Sequence, residues 1–451
     1  MALKGLDIFK LSPKKNCKEC GNPTCMAFCM KVAQGAVSID KCPYFSDDAK
    51  AMLNEQTAPP MKTITVGNDL KLGGETVLFR HEKTLVNKNL FAVPVCTDMD
   101  AAQVDAKLAD MAKVDYERIG ERMYVEFVYV KSHGNDAEAT VELVKKAMAT
   151  DRALVLDIKD VEVAKAAVEV CKAGKPILNG ATPDNWEAMN AVATAAGVTL
   201  GVSAGNISDL YDLVKKLEAA GNKNLVLDVT ANTAKETLAN AVQVRRTALA
   251  DGDRSFGYPS IVNLAKLAKG NKQLQIAYAA MFTERYASII VMEQMDYTAA
   301  LPLYGLRQNI YTDPQKPMKV ESKIYPLNGA DENSPCALTV DFALTYFLVS
   351  GELERSNQPV NLIISDASGM SVLTAWAAGK FSSSTIKKTF ETLDIENKIK
   401  NRTLIIPGKV AVMKGEIAEK LPGWNVVVGP LEAVQLPKHM KDKDCLLYTS
   451  D

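Results

Sequence analysis

The chain of 451 residues is too long for one hydrophobic core, so we expect two or three domains. Its 53 lysines and arginines nearly balance 54 aspartates and glutamates, and no basic run with interleaved aromatic residues occurs, which argues against a nucleic-acid partner. The start lacks the apolar run of a signal peptide, and no apolar stretch approaches the roughly 20 residues of a membrane span, so we expect a cytoplasmic protein.

The first segment is a cysteine-rich head, KKNCKECGNPTCMAFCMKVAQGAVSIDKCPY. Clustered cysteines in a reducing compartment indicate a metal site rather than disulfides. The spacing C-x2-C-x4-C-x16-C, followed by a proline, favours an iron–sulfur cluster. A structural zinc site is the alternative, although no second C-x2-C knuckle is present. The predicted ligands are Cys17, Cys20, Cys25 and Cys42.

The remaining cysteines are not expected to bind the metal. Cys29 lies in the helical pattern CMAFCMKVA, which favours a packed small hydrophobe. Cys96, Cys171 and Cys336 stand alone in apolar or irregular sequence and are expected to be buried. Cys445 lies in the tail, which matches neither neighbouring pattern, and is excluded from any site.

A proline pair ends the head, which we assign to residues 1–58, and strand and helix patterns then alternate through residues 59–311. Eight alternations predict a (β/α)8 TIM barrel, with a doubly wound open sheet as the alternative because periodicity does not show closure. Asp157, Asn179 and Asp228 fall at or near strand ends, where barrel active sites occur, although helix capping explains them equally well. The eight apolar runs are LFAVPVC, YVEFVYV, ALVLDI, PILN, TLGVSA, LVLDV, SIVNLA and ASIIVM.

A segment rich in Pro, Asn and Asp, residues 312–335, is predicted to connect the barrel to a last domain, residues 336–440. We expect extended structure in ALTVDFALTYFLVSGELE, followed by strands NLIISD, TLIIPG and WNVVVGP with intervening helices. This pattern predicts a doubly wound α/β domain with a mostly parallel sheet. The tail, residues 441–451, is interpreted as disordered or non-native.

The most informative part of the last domain is ISDASGMSVLTAWAAGKF, where a strand turns into a helix. Gly369 in this turn would let a ligand approach the backbone, beyond the carboxyl ends of the strands. Glycine and proline as ordinary turn residues are the alternative. His81, His133 and His439 lie outside the strand-end loops of this domain, so we predict no nucleophile–histidine pair and no catalytic residue.

Together these segments resemble the large subunit of the corrinoid iron–sulfur protein of the reductive acetyl-CoA pathway. The resemblance rests on PKKNCKECGNPTC and KCPY, LFRHEK, RSFGYP, RQNIYTDPQ, ENSP, SGMSVLTAWAAGKF, IIPG and VVVGPLEA, and extends to about Val434. It implies an α/β protein with an N-terminal [4Fe–4S] domain, a central TIM barrel and a C-terminal corrinoid-binding domain. The four cysteines of the spacing are the cluster ligands in this resemblance, and Cys29 matches none of them.

The resemblance also implies the corrinoid contacts, and it implies a cobalt with no histidine ligand below, that is, a base-off cofactor. The implied contacts are Thr339, Thr345, Gly369, Met370, Ser371, Val372, Thr374, Gly429, Ala433 and Val434.

The implied function is a methyl carrier. It would accept a methyl group from methyltetrahydrofolate on Co(I), through a methyltransferase, and deliver it to the nickel centre of acetyl-CoA synthase. The cluster would reactivate Co(II) with electrons from a low-potential donor. A small TIM-barrel subunit, the methyltransferase and acetyl-CoA synthase/CO dehydrogenase are the implied partners, and residues 312–335 are a candidate hinge. A pterin-dependent methyltransferase acting through its own barrel, or an electron-transfer iron–sulfur protein without a corrinoid, are the alternatives.

Overall fold

The computed structural model describes residues 5–33, 37–57, 59–313 and 316–442. The chain forms two compact units. The first consists of the chain up to Asp115 together with Tyr124–Tyr311, and the second of Tyr116–Met123 together with the chain from Thr312 onward. Of the predicted tail, the described residues include only 441 and 442, and Cys445 lies outside them. No helix in the described ranges is long and apolar enough to cross a membrane.

The head has a small core of its own. Side chains including Ile8, Phe28, Val32 and Leu53 are buried together there. The cysteine loop, between the first two helices, has no regular structure. Its two ends are held in place because both flanking helices contribute side chains to this core, Ile8 from the first and Phe28 from the second. The helices are α1 Gly5–Leu11, α2 Cys25–Ala33 and α3 Asp47–Thr57, with a 3-10 turn at Ile39–Lys41.

Eight parallel strands close into a barrel in the first unit. All eight apolar runs supply a strand, so the predicted TIM barrel is confirmed and the open sheet is ruled out. The strands are β3 Leu90–Cys96, β6 Phe127–Lys131, β7 Ala153–Asp157, β8 Ile177–Ala181, β9 Thr199–Val202, β10 Leu225–Asp228, β11 Ser260–Asn263 and β12 Ile289–Val291.

Helices follow the barrel strands, and polar residues mark where many of them begin. Asp100, Asp136, Asp160, Asn206 and Thr233 each accept a hydrogen bond from a backbone amide in the first turn of the helix that follows. Such a cap stabilises a helix by about 1 kcal/mol. The helices are α4 Ala101–Ala112, α5 Ala137–Met148, α6 Val161–Cys171, α7 Trp186–Ala196, α8 Ile207–Ala219, α9 Ala234–Leu249, α10 Leu264–Leu267, α11 Lys272–Glu284 and α12 Tyr297–Ile310.

The barrel interior is filled by alternate strand residues. A hairpin of β1 Thr63–Val66 and β2 Leu70–Gly73 packs Ile64, Val66 and Leu72 into the same cluster. Because side chains alternate across a strand, the residue two positions beyond an interior one also faces the interior. The interior-facing residues at the carboxyl ends of the strands therefore form the barrel mouth. The interior positions include Ala92, Phe127, Tyr129, Val155, Ile177, Val226 and Ile261.

The second unit is built on a five-stranded sheet in the order β13-β15-β14-β16-β17. Four strands of this sheet run parallel to one another: β14 Cys336–Val340, β15 Val360–Ser365, β16 Thr403–Ile406 and β17 Asn425–Val428. The fifth strand, β13 Ile324–Leu327, lies at one edge and pairs antiparallel with β15. A hairpin of β4 Asp115–Arg118 and β5 Glu121–Tyr124 adds Ile119 to the core of this unit. The helices are α13 Ala343–Arg355, α14 Val372–Ala377, α15 Ser383–Thr392, α16 Ile395–Lys398, α17 Lys414–Lys420 and α18 Leu436–Lys441.

Two expectations for the second unit need correction. ALTVDFALTYFLVSGELE is not extended throughout, because strand β14 ends at Val340 and helix α13 begins at Ala343. Apolar residues lie on both faces of α13, with Leu344 and Leu348 58% and 56% exposed, so the helical period was hidden. The predicted connection 312–335 also contains β13, whose backbone pairs with β15.

Candidate functional site

The cysteine loop adopts a backbone that curls around its predicted ligands. Lys14, Asn16 and Lys18 have positive φ angles of 55°, 49° and 67°, and Gly21 has 73°. Left-handed residues within a turning backbone can gather N–H groups into an anion-binding concavity. The backbone N–H of Asn16 donates to Cys25 Sγ at 3.3 Å, and the Asn16 side chain accepts from the Cys25 amide at 2.8 Å.

The polar groups around these sulfurs suit a cysteine-bound cluster. Asn22 Nδ2 lies 3.9 Å from Cys20 Sγ and 3.1 Å from the Cys20 carbonyl oxygen. The other side-chain atom of Asn22, Oδ1, is buried and finds no hydrogen-bond partner among the described residues. Cys17 is exposed, whereas Cys25 and Cys42 are buried. Donors to thiolate sulfur stabilise a bound metal centre, so this loop fits an iron–sulfur cluster.

Cys29 belongs to the head's core, as the sequence predicted. Its side chain is fully buried, and burial, followed by the nearby Cys25 thiol, raises the pKa of Cys29 to about 11. A neutral thiol among apolar side chains behaves as a small hydrophobe. Cys171 and Cys336 are also buried, as expected, but Cys96 is only partly so.

A cavity of about 250 Å³ lies at the carboxyl ends of β14, β16 and β17, between α13 and the start of α14. Its wall is largely apolar and contains no histidine. Thr339 is 1% exposed and its hydroxyl finds no hydrogen-bond partner within the described ranges. An orphaned hydroxyl in a cavity wall is positioned to bond a ligand. Six of the ten predicted contacts line the cavity: Thr339, Thr345, Ser371, Val372, Gly429 and Ala433.

The other four predicted contacts do not line the cavity. Met370 packs on the core of the unit, Thr374 Oγ1 lies 3.0 Å from Ser371 Oγ, and Val434 is exposed. Gly369 has a φ of 72°, and a Cβ there would come within 3.1 Å of Pro317. Their chain neighbours Ser371, Val372 and Ala433 do line it.

Asp341 holds the turn that contains Gly369. This buried carboxylate, at the end of β14, accepts hydrogen bonds from the amides of Ala367 at 2.9 Å and Gly369 at 3.0 Å. Burial raises the pKa of Asp341, while the amides of Gly369 and Ala367 oppose that shift. The Gly369 amide is thus already bonded within the turn, so it is not free to donate to a ligand that approaches this backbone. The apolar context of VDF gave no sign of this role for Asp341.

The barrel mouth holds a second polar cluster. Asn179 Nδ2 donates to Tyr129 Oη at 3.2 Å and to Asp228 Oδ2 at 3.4 Å. Burial, and then the Asp228 carboxylate, raises the pKa of Asp157, and burial raises the pKa of Tyr129 well above its usual value. Asn179 Oδ1 is buried without a hydrogen-bond partner among the described residues. Two of the three residues the sequence placed at strand ends are therefore in direct contact.

Tyr129 was missed by the sequence reasoning. It stands next to last in the apolar run YVEFVYV, where its hydroxyl gives no separate signal. The alternation of β6 does carry the information, because Phe127 and Tyr129 both face the interior.

These observations define a class: a three-part α/β protein that joins a cysteine-rich head to a TIM barrel and an α/β unit with a cavity at the end of its sheet. Residues 63–440 match the family model of the CO dehydrogenase/acetyl-CoA synthase delta subunit, and residues 13–44 match that of a putative Fe-S cluster. The chain is 39% identical over 437 residues to the corrinoid/iron-sulfur protein large subunit of Moorella thermoacetica, covering 96% of this chain and 97% of that one. The chain therefore belongs to the family of corrinoid/iron–sulfur protein large subunits.

Archaeal relatives match over nearly the same length. The acetyl-CoA decarbonylase/synthase complex subunit gamma of Methanothermobacter thermautotrophicus is 31% identical, covering 98% of this chain and 99% of that one. Among solved structures, dihydropteroate synthase from Thermus thermophilus aligns with 55% of this chain and 100% of its own at 14% identity and a TM-score of 0.39.

Proposed function

We propose that this chain is a methyl carrier that binds a corrinoid in its second unit and a [4Fe–4S] cluster in its head. The observation that carries the proposal is the sheet-end cavity with the orphaned Thr339 hydroxyl, on a chain that also has the four predicted cluster cysteines in its head. When bound, the corrinoid supplies a cobalt centre that accepts and gives up a methyl group.

The cavity residues would hold only part of the cofactor, because a corrin with its side chains is far larger than 250 Å³. The Thr339 hydroxyl would bond a polar substituent, and the apolar wall would exclude water. The exposed side chains Leu348, Leu373 and Leu431 at the cavity offer apolar surface to the rest of the cofactor. Since the lining contains no histidine, we propose that the cobalt has no histidine ligand from this cavity.

In the head, the thiols of Cys17, Cys20, Cys25 and Cys42 would ligate the cluster, with Asn16 and Asn22 donating to the sulfurs. A cluster on the same chain provides single electrons for restoring the cofactor after oxidation. We further propose the small barrel subunit, a methyltetrahydrofolate:corrinoid methyltransferase and acetyl-CoA synthase as partners, since the Methanothermobacter relative is named as a subunit of such a synthase complex.

Delivery to several partners requires the second unit to move, and we propose the connection 312–335 as the hinge. Val320 donates to the Asp341 carbonyl and Ala343 to the Met318 carbonyl, so the connection is bonded to the second unit at Met318 and Val320. The part of the connection from Met318 onward would therefore move with that unit. A cross-link that rigidifies the connection should slow turnover, and full activity after cross-linking would contradict the hinge.

Anaerobic EPR tests the carrier proposal on protein co-expressed with the small barrel subunit, as isolated and after reduction. We expect a Co(II) signal without nitrogen superhyperfine splitting, together with a reduced [4Fe–4S] signal. A cluster signal with no cobalt, persisting after corrinoid is added back, would favour the electron-transfer alternative. Zinc in place of iron would show that the cysteine loop was misread.

A second candidate function, a pterin site in the barrel, is favoured by the cluster at the barrel mouth. The carboxylates of Asp157 and Asp228 accept hydrogen bonds, and the unpaired Asn179 Oδ1 is a third acceptor. A flat ring with several N–H donors, such as a reduced pterin, matches that set.

Calorimetry with methyltetrahydrofolate on the chain tests the pterin site. Binding should be lost in Asp228→Asn and kept in the control Asp209→Asn, whose carboxylate lies on α8 and accepts only from Asn206 Nδ2. No binding to the unsubstituted chain would leave the barrel as a scaffold.

A further inference from the structure

The rim of the barrel mouth carries a group of potential metal ligands unrelated to the cysteine head. Cys96 is the last residue of β3, Asp98 follows it, and His133 lies in the loop after β6. One donor atom from each lies within 4.8 Å of the other two, and no other His, Cys, Asp or Glu group within residues 5–33, 37–57, 59–313 and 316–442 meets this condition. We propose that Cys96, Asp98 and His133 form a binding site for a divalent transition metal, with Zn²⁺ as the best match.

The spacing of the donors suits a metal better than a direct hydrogen bond. His133 Nε2 lies 3.7 Å from Asp98 Oδ2, which is too long for a hydrogen bond. With zinc–nitrogen and zinc–oxygen bonds of about 2.1 Å, a tetrahedral site has an edge of roughly 3.4 Å between these ligands. A shift of a few tenths of an ångström would therefore bring this pair to the spacing of two ligands on one ion.

The backbone already fixes the two loops relative to each other. Cys96 and Lys131 are register partners across β3 and β6. Beyond them, the amide of Thr97 donates to the Lys131 carbonyl at 3.1 Å, and the amide of His133 donates to Thr97 Oγ1 at 2.9 Å. Ligands held by bonded backbone lose less conformational freedom on binding, which favours affinity.

The donor set selects the metal. A thiolate, an imidazole and a carboxylate are the three ligand types that zinc accepts, whereas magnesium and calcium prefer oxygen alone. Three protein ligands leave a fourth position for water or another donor atom. The His133 and Asp98 side chains are 45% and 64% exposed, so an ion can reach them from solvent.

A catalytic cysteine–histidine pair is the rival interpretation of the same residues. A nucleophilic cysteine needs a lowered pKa, but burial, followed by the Asp98 carboxylate, raises the pKa of Cys96. The neighbouring ammonium groups of Lys131 and Lys107 oppose that shift only in part. A bound cation would displace the thiol proton.

Zinc titration against a chromophoric zinc indicator tests the site on the full chain with its iron–sulfur cluster loaded. We expect one Zn²⁺ per chain, with affinity reduced by more than about tenfold in Cys96→Ala and His133→Ala. Lys131→Met should tighten binding, because it removes a positive charge beside the site. His81→Ala is the matched control, since it removes another exposed histidine of the first unit and should leave zinc binding unchanged.

Unchanged iron content and visible absorption during the titration exclude exchange of zinc into the cluster loop. The His133→Ala variant keeps the test decisive if Cys96→Ala folds poorly, because His133 is exposed and its loss leaves the core intact. No stoichiometric zinc in the unsubstituted chain, or equal binding in all variants, would overturn the proposal. It does not depend on the methyl-carrier function.

Discussion

The Thr339 hydroxyl gives the sharpest test, because the proposal predicts opposite effects on stability and on ligand binding. Thr339→Val preserves the branched shape in the middle of β14 and deletes a hydroxyl that is 1% exposed and unpaired among the described residues. A buried unpaired polar group costs about 1–3 kcal/mol. The cofactor-free variant should therefore unfold at higher urea, with a gain of about 1–2 kcal/mol in the free energy of unfolding.

Corrinoid retention should change in the other direction. A hydrogen bond to the ligand contributes about 0.5–1.5 kcal/mol, so its loss should weaken retention by roughly two- to tenfold. Tryptophan fluorescence reports unfolding, because two of the three tryptophans, Trp376 and Trp424, lie in the second unit, whereas Trp186 lies in the first. Equilibrium dialysis against free corrinoid reports retention.

Thr389→Val is the matched control for Thr339→Val. Its hydroxyl donates to the Thr385 carbonyl at 3.1 Å and lies 2.9 Å from the buried Ser365 hydroxyl, so this loss should destabilise the unit without changing retention. A cofactor-free Thr339→Val chain that is less stable than the unsubstituted chain would refute this reasoning. Unchanged corrinoid retention in the same variant would refute it as well.

Three further predictions use the same logic. Cys20→Ala should abolish cluster iron, whereas Cys29→Ala should keep it and cost only about 1 kcal/mol of packing; equal iron loss in both, by iron assay, would make Cys29 a ligand. Asp341→Ala should destabilise the second unit by about 2 kcal/mol in urea unfolding, because the Ala367 and Gly369 amides lose their acceptor, and Asp341→Asn should restore most of that stability. Burial raises the pKa of Asp157 above 3.8, so its carboxylate lowers stability as pH rises through the interval from 3.8 to that raised value. Asp157→Asn should accordingly stabilise the barrel at pH 7 in urea unfolding, with a gain that shrinks as pH falls toward 3.8, and a pH-independent gain would contradict this origin.

The sequence predicted the barrel well because its strands are buried on both faces and read as continuous apolar runs, most of them followed by a helix with a side-chain N-cap. Helix α13 was misread for the complementary reason. Its exposed Leu344 and Leu348 sit opposite a buried Leu353, so no polar face marks the helix. Exposed apolar residues on a helix remove the alternation of apolar and polar faces on which helix prediction depends.

The candidate site residues also differ in whether local sequence predicts them. Asp157, Asn179 and Asp228 were visible because a polar residue that ends an apolar strand is conspicuous, and barrel closure then brings them toward one mouth. The sequence presents Cys96 and His133 separately, as a buried cysteine and as a histidine outside the last domain's strand-end loops. Only the parallel pairing of β3 with β6 places their loops side by side, and that neighbour relation is absent from local sequence.

Orphaned polar atoms connect the proposals. Asn22 Oδ1 lies in the cysteine loop, Asn179 Oδ1 at the barrel mouth and Thr339 Oγ1 in the sheet-end cavity, and each is buried without a partner among the described residues. Asn89 Oδ1 and Arg152 Nε share this state away from any candidate site, so an orphan alone does not identify function. These three atoms differ from the other orphans because each lies beside a second feature. Asn22 lies beside a cysteine thiol, Asn179 beside a pair of carboxylates, and Thr339 in the apolar wall of a cavity. Because each orphan costs about 1–3 kcal/mol in the free chain, their retention at these places is expected where a ligand supplies the missing partner.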